Sequence, residues 1–117
     1  MSSLAFALTA LVALAHLGFL VLEMFLWTTP YGRKTFGLKA DFAEQSRALA
    51  ANQGLYNGFL AAGLIWALWA DRLDLKVFFL GCVIVAGVYG AASVNRRILY
   101  VQALPAALAL AAVWFTA

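Results

Sequence analysis

Charge is what this sequence has least of: 11% of its residues are Asp, Glu, Lys or Arg, while 66% are apolar. Soluble globular chains carry about a quarter charged residues, so too few polar groups are present here to clothe a water-facing surface. Cysteine is nearly absent. Cys82 stands alone in an apolar run, which excludes a disulfide within the chain and makes it a small packing residue. Histidine is represented once, by His16, and no second acid shares the apolar runs with Glu23. A metal site needs three or four ligands, so none is expected. No glycine-rich phosphate loop precedes a helix and no serine is spaced to work with His16, so hydrolytic triads and nucleotide cofactors are not expected either. The few basic residues flank the apolar runs instead of gathering into a patch, so nothing supports a nucleic-acid partner.

What is abundant is apolar length. A helix crosses a hydrocarbon core about 30 Å thick with about 20 mostly apolar residues, and four such stretches nearly exhaust 117 residues. They are predicted at 4–27, 48–70, 77–94 and 98–115. The reading is an all-α integral membrane four-helix bundle, antiparallel and up-down because its connections are short, occupying 1–117 as a single transmembrane domain. Ala13-Leu14-Ala15 resembles a cleavage site, but no basic n-region precedes it and the apolar run continues to Trp27, so span one is read as retained. Pro30 closes that span. Asp41 followed by Glu44 reads as a capping-box variant opening the next helix. Arg33, Lys34, Lys39, Arg47, Arg96 and Arg97 lie on one side, Arg72 and Lys76 on the other. The basic side stays in the cytoplasm, which puts both termini outside it, and long apolar helices point to an inner membrane, not an outer-membrane barrel. Small residues recur four apart at Gly54, Gly58 and Ala62, at Cys82, Ala86 and Gly90, and at Ala103, Ala107 and Ala111, suiting close helix approach within or between chains.

Helical geometry gathers the scattered polar residues. At 3.6 residues per turn Thr9, His16, Glu23 and Trp27 fall within one narrow arc of span one. Asn52, Gln53, Tyr56 and Asn57 cover one sector of span two, with Gly54 and Gly58 on another face. Span three adds Tyr89 and Ser93. Span four adds Gln102 just before Pro105, whose missing N–H frees the carbonyl near residue 101. Most of these lie in the half of each span nearer the basic loops, with His16 and Asn57 near the midplane. That pattern predicts a cavity open to the cytoplasm. An ionisable group inside a membrane is by default a functional hypothesis, and Glu23 is the foremost candidate. Each residue also has a plainer role: Glu23 hydrogen-bonded to Asn52 or Gln53 as a link between helices, His16 and the amides as interhelical glue, and Trp27, Trp66, Trp69 and Trp114 as interface anchors.

The segments Glu23-Met24-Phe25-Leu26-Trp27-Thr28, Asn52-Gln53-Gly54-Leu55-Tyr56-Asn57-Gly58, Ala86-Gly87-Val88-Tyr89-Gly90 and Val101-Gln102-Ala103-Leu104-Pro105-Ala106 together resemble the domain-of-unknown-function family numbered thirteen-oh-four. The resemblance covers nearly the entire chain and implies a small bacterial membrane protein with four spans, without an assigned activity. A second, weaker similarity is to small multidrug exporters, which have four spans and a membrane-embedded glutamate in the first. Only Glu23 carries over, and it lies nearer the cytoplasmic end than mid-span.

Three functions compete. In the first, a cytoplasm-facing pocket binds a hydrophobic or amphiphilic small molecule; Glu23 and His16 supply acid–base chemistry, while Asn52, Gln53, Tyr56, Asn57, Tyr89, Gln102 and Trp27 orient the ligand. In the second, a homodimer couples proton flow to export. In the third, the bundle is structural and Glu23→Gln is silent. Whether the chain is an enzyme is left open by the sequence.

Overall fold

The computed structural model describes residues Met1–Ala117 and contains helices and no strands. In chain order they are α1 (Ser3–Met24), α2 (Pro30–Phe36), α3 (Ala40–Ala70), α4 (Leu73–Ser93), a π-helical turn (Leu99–Ala103) and α5 (Leu104–Phe115). Two of them, α1 and α4, are long and apolar enough to cross a membrane. At 1.5 Å per residue, their 22 and 21 residues span about 33 and 31 Å. The 31 residues of α3 reach about 46 Å, but Asn52, Gln53 and Asn57 break its apolar run. The last apolar stretch, Leu99–Phe115, is shorter.

Several boundaries differ from those predicted. Span one ends at Met24, three residues early: the Phe25 and Leu26 amides both donate to the Val21 carbonyl, which closes the helix. Pro30 opens a helix instead of ending one. It stands in the first turn of α2, where its absent N–H goes unmissed, and the Thr29 hydroxyl caps that turn by accepting from the Gly32 amide at 3.1 Å. Gly37, at φ 67°, ends α2 in the left-handed conformation glycine tolerates. The capping box does not form. Asp41 lies inside the first turn of α3, where Oδ1 accepts from the Phe42 amide, and Glu44 pairs with Arg47. Span three starts four residues early, at Leu73, and so takes Lys76 into the helix.

The chain's internal contacts group it into two compact units. The first comprises 1–14 and 60–117. Its core is aliphatic and small: Ala5, Val12 and Ala13 from α1, Leu64 from α3, Leu80 and Val83 from α4, and Ala106, Ala109 and Val113 from α5. Gly87 lets the π-turn close onto α4, since a Cβ there would lie 2.7 Å from the Ala103 backbone nitrogen. That wide turn precedes Pro105, which has no amide to donate; the Leu104 amide reaches back to the Leu99 carbonyl instead.

The second unit is 15–59: the C-terminal part of α1, all of α2 and the first part of α3. Its packing depends on glycines. A Cβ at Gly54 would approach Met24 Cγ at 2.8 Å and Glu23 Cβ at 3.0 Å, and one at Gly58 would meet Leu20 Cδ1 at 2.6 Å. The predicted Gly54/Gly58 stripe is therefore where α3 meets α1 in this unit.

Candidate functional site

Heptad spacing puts Thr9, His16 and Glu23 on one line of α1, and all three are buried. Thr9 is satisfied locally, its hydroxyl donating to the Ala5 carbonyl at 2.8 Å. His16 lies edge-on to Phe19, ring centroids 5.1 Å apart, about 10 Å of helix rise from Glu23.

Glu23 is 4% exposed and receives two hydrogen bonds from α3. Gln53 Nε2 donates to Oε2 and Asn57 Nδ2 to Oε1, each at 2.5 Å. One turn separates the two amides, so both reach one carboxyl while Gly54, between them, lets the helices approach. The ion pairs of the protein are Arg47–Glu44, Arg72–Asp74 and Lys76–Asp71. None involves Glu23, so its two oxygens are held by neutral donors alone. Such a site can keep a carboxyl fixed in an apolar setting, ready to exchange a proton or meet a ligand's cation.

The polar sector of α3 divides. Gln53 and Asn57 bond to Glu23, Gln53 while itself exposed and Asn57 half-buried, whereas the exposed Asn52 does not, and Tyr56 lies edge-on to Phe59 with centroids 5.8 Å apart. Trp27 lies just past the end of α1. Its indole N–H donates to Ser46 Oγ at 3.0 Å and its ring packs on Phe36 at 4.9 Å. Tyr89 is exposed on α4, along an open groove of about 710 Å³ lined by Val77, Phe78, Cys82 and Val85 among others. That groove is apolar, and neither Glu23 nor its amides line it. Gln102 is half-buried in the π-turn. No cluster of three His, Cys, Asp or Glu side chains able to hold a metal ion is present.

One ion pair with a buried lysine went unforeseen. Lys76, read as a loop cation, is 3% exposed in the first turns of α4, and its Nζ donates to Asp71 Oδ1. Asp71 has φ 50°, which bends the chain between α3 and α4. Asp71 and Lys76 five residues apart across a tight turn were the available signal.

The fold and site thus define a small all-helical protein with two membrane-length apolar helices and a buried acid held by amides. The family model described as "Protein of unknown function (DUF1304)" matches residues 10–114, and the chain belongs to that family. "Uncharacterized protein YpaA" of Lactococcus lactis subsp. lactis (strain IL1403) is 31% identical over 119 residues, covering 98% of this chain and 100% of the relative. No solved structure matches the chain. A correction applies to the resemblance stated above, which characterised its family as four-span membrane proteins. The match carries no span count, and two helices of this chain, not four, have the length and apolarity to cross a membrane.

Proposed function

We propose that the protein is a multi-pass integral protein of a bacterial inner membrane that binds a hydrophobic or amphiphilic small molecule at Glu23. In this reading the chain crosses four times, along α1, the apolar part of α3, α4, and the π-turn with α5, with both termini outside the cytoplasm. Outward-facing apolar surface supports the membrane setting. Only 28% and 22% of the apolar stretches of α1 and α4 are buried within the protein, whereas a core helix of a water-soluble fold would be mostly covered.

The observation that carries the site is the buried Glu23 carboxyl, fixed by Gln53 and Asn57 and paired with no cation. A carboxyl so held is already oriented for a ligand. In the proposed chemistry Glu23 exchanges a proton with the bound molecule while Gln53 and Asn57 hold its carboxyl in place.

A second reading, a structural clamp between α1 and α3, is favoured by the same two hydrogen bonds and by the close Gly54 contact. Native mass spectrometry with lipid extraction, on gently purified wild type, Glu23→Gln and Asn57→Ala, separates the two. A specific small molecule that co-purifies with wild type and is lost from Glu23→Gln supports the ligand site. Identical extracts from all three proteins, with Glu23→Gln fully folded, sink it and leave the clamp.

A further inference from the structure

We propose that α2 and the turn after it form a binding surface for the anionic headgroups of phospholipids, with Arg33, Lys34 and Lys39 facing phosphate and Tyr31 and Phe42 as aromatic anchors. The proposal rests on the membrane reading above and adds a ligand to a segment which that reading leaves without a role.

Charge is the first argument. Between Thr29 and Phe42 three basic residues occur with a single acid, Asp41. That acid is turned to its neighbour's amide, and the next one, Glu44, is taken by Arg47. Arg33, Lys34 and Lys39 make no ion pair, and Arg33 Nε is a buried donor with no acceptor in the protein. Three uncompensated cations within seven residues suit a phosphate-rich surface, where guanidinium and ammonium groups find the acceptors the chain withholds.

The aromatic residues are the second. Tyr31 and Phe42 are 66% and 54% exposed, and Phe36 is partly exposed where it packs on Trp27. Large rings interleaved with basic side chains characterise segments that lie at the level of lipid headgroups.

Rigidity is the third. Seven residues cannot hold a helix alone in water, yet α2 is pinned at three points. Thr29 caps its start. A Cβ at Gly32 would overlap the Leu26 carbonyl, so the helix lies directly against the chain that leaves α1. At its end the Gly37 and Leu38 amides both donate to the Arg33 carbonyl. The cations are thus presented from a fixed backbone.

The test is lipid competition. Protein purified in a neutral detergent is offered equal amounts of phosphatidylcholine and phosphatidylglycerol, and retained lipid is counted by native mass spectrometry. Wild type is expected to retain phosphatidylglycerol preferentially. The triple variant Arg33→Gln, Lys34→Gln, Lys39→Gln should lose that preference about a hundredfold, at roughly fivefold per cation, whereas Arg72→Gln, on the other side in the proposed topology and paired with Asp74, should leave it unchanged. Equal retention of both lipids, or an unchanged preference in the triple variant, overturns the proposal. So does complete displacement of phosphatidylglycerol by inorganic phosphate, which would identify a free-anion site. Insertion into pure phosphatidylcholine nanodiscs is scored separately: a protein that inserts there without preferring the anionic lipid refutes this proposal alone, and one that fails to insert refutes the membrane reading with it.

Discussion

The protein buries His16, Glu23 and Lys76 in helices, and the regions around the acid and the lysine solve the same problem differently. Lys76 runs its aliphatic stem through the interior and delivers its ammonium to Asp71, five residues back and 71% exposed. Its charge is neutralised at the surface by one turn of chain. Glu23 has no such exit. Its partners, Gln53 and Asn57, come from another helix 30 and 34 residues away and carry no charge. The first arrangement depends on local chain geometry; the second exists only because α1 and α3 pack together in the 15–59 unit. A cost met locally needs no further explanation, whereas an acid held without a counter-charge invites a functional one.

The contrast breaks most readily at Gly54. A Leu side chain there would push into Met24 and Glu23, so Gly54→Leu is expected to destabilise the protein by about 3 kcal/mol in denaturant unfolding, with the Lys76–Asp71 pair untouched. Next come apolar replacements of the two ions. Glu23→Leu should cost about 2 kcal/mol because two amides lose their acceptor, whereas Lys76→Met should stay within about 1 kcal/mol, since it removes a buried charge as well as a bond. The reverse order in thermal melts would mean that the pair at the turn is the more demanding site. Trp27→Phe, which deletes only the bond to Ser46, should cost about 1 kcal/mol.

Acid titration sharpens the other side. The hydrogen bond and charge of Lys76 hold the Asp71 carboxyl below its ordinary value of 3.8. The stabilisation is therefore complete above that value and is lost as pH falls through the lower, folded-state value. Asp71→Asn keeps a residue tolerant of positive φ while removing the charge. It should melt below wild type at neutral pH and converge with it in strong acid; parallel curves down to pH about 2 would remove Asp71 from the account of Lys76. The smallest effect is expected at Asn52→Ala, within about 0.5 kcal/mol, because Asn52 faces outward.

Much of the Glu23 region was legible in the chain. Thr9, His16 and Glu23 recur every seven residues, and a seven-residue period returns a helix to nearly the same face; all three are buried. Gly54 and Gly58 were readable as a contact face. The division of α3 into Gln53 and Asn57 against Asn52 and Tyr56 was not. Those four residues span a broad arc, and which edge of it turns to α1 follows from where the two glycines let α1 settle. Lys76 was misread for a related reason. A basic residue at the border of an apolar run looks like a loop cation until the helix start at Leu73 and the positive φ of Asp71 are known.

By itself, then, the sequence determined the all-helical composition, the apolar runs and the periodic line of polar groups on α1, because these follow from residue type and the 3.6-residue turn. Tertiary structure alone decided that Pro30 opens α2, that Lys76 is buried against Asp71, and that of the two expected partners of Glu23 it is Gln53, joined by Asn57, that holds it. These depend on which backbones approach within van der Waals contact, and such approach is set by small residues distant in the chain.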